Sequence, residues 1–101
     1  MSEPVSSGAD VFQFRLYLAG DAQNSAQALA NLGALCRQHL AGHHEIEVVD
    51  VFQQPERALA DGVFMTPTLN KLFPLPARRI VGNLSQTRQV LTALGLDTEL
   101  P

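Results

Sequence analysis

The first half of the chain has a strand–helix–strand pattern, and this pattern most constrains the fold. The stretch VFQFRLYLAG, residues 11–20, alternates apolar and polar side chains with the period of two that is typical of a half-buried strand. A helix with apolar residues at helical spacing follows from Asn24 to about Leu40, and HEIEVVDVF, residues 44–52, is rich in β-branched residues. Two strands joined by a helix lie parallel with a right-handed crossover, so the pattern predicts an α/β fold.

Capping patterns indicate where the helices begin. Asn24 is followed three residues later by Gln27, which is the spacing of a capping box, and Asn83 with Gln86 repeats it before the last helix. Pro55 is predicted to occupy the first position of a short helix that follows the second strand. The sequence therefore predicts three helices.

The stretch TPTLNKLFPLPARRIVG, residues 66–82, fits two secondary structures. As a strand, it places alternate residues from Met65 to Phe73 on one face; as a helix, it has Thr66 as N-cap and Pro67 as the first helical residue. If it is extended, the element order is β-α-β-α-β-β-α, which is the thioredoxin-like order. If it is helical, everything after it changes.

Length and composition favour one small domain in the cytoplasm. With 101 residues, the chain is predicted to form a single domain over residues 10–98, after a flexible tail at residues 1–9. The net charge of −3 argues against nucleic acid as the main partner. One cysteine allows no intrachain disulfide, and no signal peptide or membrane-spanning run is recognised, so we expect a cytoplasmic protein without a membrane partner.

No residues predict an enzyme, a cofactor or a metal site. Thioredoxin-like redox enzymes carry Cys-x-x-Cys between the first strand and the first helix, where this chain reads GDAQNS. Cys36 lies on the apolar stripe of the helix and is expected to be buried. Gly42 breaks the helix between His39 and His43, so these residues and His44 are not expected to converge on a metal ion. They are expected to be exposed near the end of the helix.

Four blocks of sequence, in this order, resemble the KaiB family. They are LYLAGDAQNSAQAL, VVDVFQQPERA, TPTLNKLFPLPARRIVGNLS and VLTALGL, and the resemblance extends from Phe14 to Leu96. The resemblance implies a non-enzymatic regulator that binds a KaiC-type ATPase, with a KaiA-like protein or a histidine kinase as further partners. The implied role is in a circadian clock or in clock-derived signalling or stress adaptation.

The resemblance also implies two folds for one sequence. The family's ground state, β-α-β-β-α-α-β, assembles into dimers and tetramers, whereas its thioredoxin-like monomer binds the ATPase. This matches the two interpretations of residues 66–82. We expect Lys71, Arg78 and Arg79 to make polar contacts with the partner; adjacent residues on a strand face opposite sides, so the two arginines would not form one clamp. Thr66 and Pro67 would set the switch geometry, with Pro67 in cis in the thioredoxin-like form.

Two alternatives remain open from the sequence. The first is a thioredoxin-fold enzyme, such as a transferase or a peroxide-handling protein, which turnover with glutathione or a dithiol would reveal. The second is a stress protein that acts without an ATPase partner. The second strand carries Glu45 and Glu47 where clock relatives tend to have basic residues, which predicts altered binding to an acidic surface.

Overall fold

The structure, a computed structural model, describes residues 11–96. The predicted tail at residues 1–9, and residues 10, 97 and 98 of the predicted domain, lie outside the described part. The elements are β1 (Phe12–Leu18), α1 (Gln23–His39), β2 (His44–Asp50), α2 (Pro55–Ala60), β3 (Thr68–Phe73), β4 (Arg78–Val81) and α3 (Thr87–Leu94). This is the predicted β-α-β-α-β-β-α order, so the ambiguous stretch forms two strands here.

The four strands form one mixed sheet in the order β2-β1-β3-β4. β1 and β2 are parallel, with Phe14 opposite Ile46, as the strand–helix–strand pattern predicted. β3 runs antiparallel to β1, with Leu16 opposite Leu69, and β4 runs antiparallel to β3. β1 and β3 are therefore central, and β2 and β4 each have a free edge.

The larger hydrophobic core lies on the face of the sheet that α1 and α3 cover. Leu16 and Leu69 contribute from the sheet, Leu32 from α1 and Leu94 from α3, and each is at most 1% exposed. These residues are apolar at period two in the strands and at helical spacing in the helices, so each element buries one side. Cys36 is part of this core, as predicted.

A smaller core lies on the opposite face, under α2. It consists of Tyr17, Val49, Ala58 and Val63, with Val51 packed against it. Tyr17 belongs to the more polar side of the β1 alternation, yet it is fully buried because α2 covers it. α2 has only six residues and begins at Pro55, as predicted.

The predicted capping box at Asn24 is wrong. α1 begins at Gln23 with Ala22 as N-cap and without a side-chain cap. The backbone carbonyl of Ala22 already accepts a hydrogen bond from the Ala26 N–H at 3.0 Å, so Asn24 is a helical residue. The hydroxyl of Ser25 instead accepts a hydrogen bond from the Ala19 N–H at 3.1 Å, which attaches the end of β1 to the helix.

The predicted capping box at Asn83 is also wrong, because α3 begins only at Thr87. Leu84 inserts its side chain into the larger core with a positive φ of 65°, which is incompatible with a helix at that position. The Asn83 side-chain amide donates to Gln27 Oε1 at 3.0 Å, and its oxygen accepts from the Ser85 N–H at 3.1 Å. Asn83 therefore fixes a loop against α1 instead of capping a helix.

Replacing Leu16 with alanine is predicted to lower the free energy of unfolding by about 2–5 kcal/mol, because it creates a cavity in the larger core. The matched control is Leu59→Ala on α2, where the side chain is 71% exposed. It should change stability by about 0.5 kcal/mol or less. Urea denaturation at one low protein concentration measures both. Equal losses for the two variants would contradict the assigned core.

Candidate partner-binding surface

Arg79 holds the end of α2 against the β3–β4 hairpin. Its guanidinium donates hydrogen bonds to Asn70 Oδ1 at 2.9 Å, to the Gly62 carbonyl at 2.9 Å and to the Asp61 carbonyl at 2.6 Å. All three acceptors are uncharged oxygens. Arg79 thus has a positioning role in this structure, and its positive charge has no carboxylate partner within residues 11–96.

Lys71 is buried, which the sequence did not predict. Only 4% of the residue is exposed; its Nζ donates to the Leu94 carbonyl at 3.4 Å and lies 5.6 Å from the centre of the Phe12 ring. Burial lowers the pKa of the Lys71 ammonium, and the positive charge of Arg78 lowers it further. The residue therefore contacts α3 and β1 in this fold instead of solvent.

Arg78 is exposed, like Arg79 and unlike Lys71. It lies opposite Lys71 in the β3–β4 register, whereas Arg79 lies opposite Asn70. The two arginines are therefore on opposite faces of the sheet, as expected from their adjacency. The Arg78 guanidinium donates one long hydrogen bond, 3.4 Å, to the Ala77 carbonyl. The structure brings Arg78 and Lys71 together but separates Arg79 from them.

The loop that contains Thr66 and Pro67 joins α2 to β3. The Thr66–Pro67 peptide bond is cis, and Pro67 is buried. The Pro67 carbonyl accepts a hydrogen bond from the Gly82 N–H at 2.9 Å, and the Thr68 hydroxyl donates to the Met65 carbonyl at 2.6 Å. These bonds fix the loop against the end of β4.

Two large apolar side chains lie in this loop just before Thr66, and their exposure was not predicted from the sequence. Phe64 is 85% exposed and Met65 is 61% exposed. Their neighbour Val63 is buried in the smaller core, so the chain leaves the core and immediately presents two apolar groups. From hydrophobicity alone, the run VFM, residues 63–65, would be predicted to lie in the core. The structure shows that α2, with only six residues, does not cover Phe64 and Met65. Exposed apolar groups of this size are typical of interaction sites.

A network of charged side chains lies on the α2 face of the sheet, and it was not predicted from the sequence either. Glu47 accepts hydrogen bonds from Arg57 at 2.7 Å and from Arg15 at 2.8 Å, and Arg15 also pairs with Asp61 at 3.2 Å. The hydroxyl of the buried Tyr17 donates to the Asp61 carboxylate. The hydrogen bonds from Arg57 and Arg15 lower the pKa of Glu47 to about 2. This network connects β1, β2 and α2.

The loop that carries the redox cysteines in thioredoxin-like enzymes contains no cysteine here. The β1–α1 loop reads AGDA, residues 19–22, and Cys36 is buried on α1. Burial raises the pKa of the Cys36 thiol to about 11, so a thiolate does not form at neutral pH. Among residues 11–96, no group of three His, Cys, Asp or Glu side chains is arranged to hold a metal ion. None of the helices in that range is long and apolar enough to cross a membrane.

Comparison with known proteins identifies the family. The KaiB domain family matches residues 15–96. The chain belongs to the KaiB family. The circadian clock protein KaiB3 of Synechocystis sp. is 40% identical, over 86% of this chain and 90% of its own length. The circadian clock oscillator protein KaiB of Trichodesmium erythraeum is 39% identical, over 84% and 82%, and that of Synechococcus elongatus is 42% identical, over 81% and 80%.

Solved structures support the thioredoxin-like fold of this KaiB family member. The N-terminal domain of Synechococcus elongatus SasA superimposes with a TM-score of 0.71 at 16% identity, covering 100% of this chain and 99% of that one. A chloroplastic thioredoxin z reaches 0.71 at 15% identity, covering 87% and 80%. At these identities the likeness concerns the fold alone.

Replacing Lys71 with methionine is predicted to raise the free energy of unfolding at pH 7 by about 1 kcal/mol, because a desolvated ammonium is exchanged for an apolar side chain of similar length. Arg88→Met, on the exposed side of α3, is the matched control and should change stability by about 0.5 kcal/mol or less. Urea denaturation measures both. A loss of stability in Lys71→Met would mean that the bond to Leu94 outweighs desolvation.

Glu47 is predicted to contribute a small, pH-dependent stabilisation. Because its pKa falls from 4.5 to about 2 on folding, the contribution is complete above pH 4.5 and disappears as the pH falls towards 2. The side chain is 47% exposed, so the contribution is below about 1 kcal/mol. Glu47→Gln should remove this pH dependence between pH 5 and 2 in urea denaturation, whereas Glu45→Gln on the same strand should retain it.

Proposed function

We propose that this KaiB family member is a non-enzymatic, cytoplasmic regulator that binds a KaiC-type ATPase. The observation that carries the proposal is the family match over residues 15–96. The buried Cys36 and the β1–α1 loop without a thiol support a binding role over thioredoxin-like redox catalysis. The rhythm or stress response that it regulates involves that ATPase, with a KaiA-like protein or a histidine kinase as further partners.

The proposed contact surface lies in the second half of the chain. Arg78 supplies an exposed positive charge, and Phe64 and Met65 supply exposed apolar area beside the loop of Thr66 and Pro67. Lys71 and Arg79 were proposed from the sequence as contacts as well. In the thioredoxin-like fold they act mainly by positioning the hairpin, because their polar groups are bonded to Leu94, Asn70, Asp61 and Gly62.

We further propose that the second half changes fold between a self-associated state and the ATPase-bound state. The self-associated state is the β-α-β-β-α-α-β dimer or tetramer, and the thioredoxin-like form binds the partner. The buried ammonium of Lys71 beside the charge of Arg78 destabilises the thioredoxin-like packing, which supports a small energy difference between the two states. Binding of the ATPase to one form shifts the population towards it.

Co-elution with the KaiC-type ATPase of the same organism tests the proposed function. The full chain, incubated overnight with the ATPase and nucleotide, is expected to elute with it in size-exclusion chromatography. Arg78→Glu should weaken the complex about five- to tenfold, because it reverses an exposed charge, whereas Arg37→Glu on α1 makes the same charge change elsewhere and should have little effect.

Two results would contradict the proposed function. The first is the absence of any complex after overnight incubation with either ATP or ADP. The second is turnover of glutathione or a dithiol by the purified chain alone, which would instead support a thioredoxin-fold enzyme. Cys36→Ser in that assay separates chemistry at the single thiol from contamination.

A further inference from the structure

Positive and negative charges are divided between the two halves of the described chain. Residues 11–61 contain six acidic residues and three arginines, whereas residues 62–96 contain one lysine, three arginines and no acidic residue. The ion pairs found within residues 11–96 all lie in the first half. Lys71, Arg78, Arg79 and Arg88 therefore have no carboxylate partner in the described part of the molecule. The overall charge of −3 conceals this basic half.

The basic half includes the free edge of the sheet. β4 is an edge strand, and β3 pairs with only one of its sides. The Gly82 N–H donates a hydrogen bond to the Pro67 carbonyl, so these two residues form a hydrogen-bonded pair. Hydrogen-bonded and non-hydrogen-bonded pairs alternate along antiparallel strands, and the backbone groups of Ile80 therefore also point towards β3. The backbone groups of Arg79 and Val81 then point away from the sheet. Within residues 11–96, no turn, loop or cap hydrogen bond uses them.

A groove lies between this edge and α3. Its volume is about 420 Å³, and its lining includes apolar atoms of Ile80, Val90 and Ala93 and the amides of Gln86 and Gln89. Val81, on the edge strand, is 51% exposed. An open strand edge beside an apolar-floored groove is the arrangement to which extended peptides add as a further strand. Alternate side chains of such a peptide would enter the groove.

We propose that the β4–α3 groove binds an extended acidic segment of a partner protein by strand addition to β4. The outward backbone groups of Arg79 and Val81 provide main-chain hydrogen bonds, and the apolar floor takes alternate apolar side chains. Arg78 and Arg88, both exposed, attract carboxylates that flank the bonded residues. The other free edge, β2, carries Glu45 and Glu47 and repels the same segment.

This site is on the surface used in the proposed function, but it does not depend on which protein supplies the segment. A KaiC-type ATPase that fails to co-elute would remove the proposed function and leave peptide binding untouched. Conversely, an ATPase complex without binding of an isolated acidic peptide would remove only this inference. The two experiments therefore fail separately.

Titration of the full-length, ¹⁵N-labelled chain with a synthetic peptide tests the site. The probe is acetyl-EVTVEVE-amide, which combines alternation, β-propensity and negative charge. Saturable changes in amide chemical shifts are expected at residues 78–82 and along α3. The lysine-substituted probe acetyl-KVTVKVK-amide, and an acidic probe N-methylated at all its central residues, should each bind at least about tenfold more weakly.

Charge-reversal variants test the protein side. Arg78→Glu should weaken binding of the acidic probe about five- to tenfold, and Arg37→Glu less than about twofold, since Arg37 lies on α1 away from β4. Raising the salt concentration should weaken binding to the parent chain because the contacts are exposed. Retained dispersion of the amide spectrum shows that each variant is folded.

Several outcomes would overturn the inference. Equal affinity for the acidic and lysine probes would exclude charge selection, and unchanged affinity of the N-methylated probe would exclude strand addition. Shifts confined to residues 44–50 would assign the peptide to β2 instead. Tighter binding of a single-stranded oligonucleotide than of the acidic peptide would identify the basic half as a nucleic-acid surface, and no saturable shifts at all would leave the groove without this role.

Discussion

The rest of the structure depends on β1, because it is buried on both faces and paired on both edges. Leu16 and Tyr17 are adjacent and both fully buried, one in the larger core and the other under α2. On one side β1 pairs with β2 in parallel orientation, and on the other side it pairs with β3 in antiparallel orientation. This pairing places the end of β1, the end of β2 and the beginning of β3 at the same end of the sheet, and Phe64 and Met65, shortly before β3, are exposed.

The two halves of the molecule are attached to β1 by different kinds of interaction. In the first half, α1 packs an apolar stripe on the sheet, and salt bridges connect β1, β2 and α2. In the second half, Arg79 reaches neutral oxygens, and Lys71 fills a core position at a cost in desolvation. α3 has eight residues and only Val90 and Leu94 fully buried, so fewer apolar contacts are lost if this half repacks.

The sequence predicted secondary structure correctly where the apolar residues followed one clear period, either that of a strand or that of a helix. The alternation in β1 and the helical stripe of α1 predicted the parallel pair, and the extended alternative for residues 66–82 predicted the hairpin. Both predicted capping boxes are wrong: α1 already begins at Gln23, before Asn24, and Leu84 enters the larger core with a positive φ, so α3 begins only at Thr87. The burial of Lys71 and the exposure of Phe64 were not predictable from periodicity, since each depends on which neighbouring element is long enough to cover it.

Opposite charges on the two free edges of one sheet have a further physical consequence. A chain with an acidic β2 edge and a basic β4 edge is complementary to a second copy in a head-to-tail sense, which is the geometry that produces open assemblies. Glu47 limits this pairing, because its carboxylate is already bonded to Arg15 and Arg57. Within residues 11–96, Glu45 and Asp50 are the acidic residues of that strand without an ion pair, and Asp50 already accepts hydrogen bonds from the backbone N–H groups of Gly20 and Phe52. A partner segment with several unpaired carboxylates therefore competes favourably for β4, and by covering that edge it also prevents addition of the next copy.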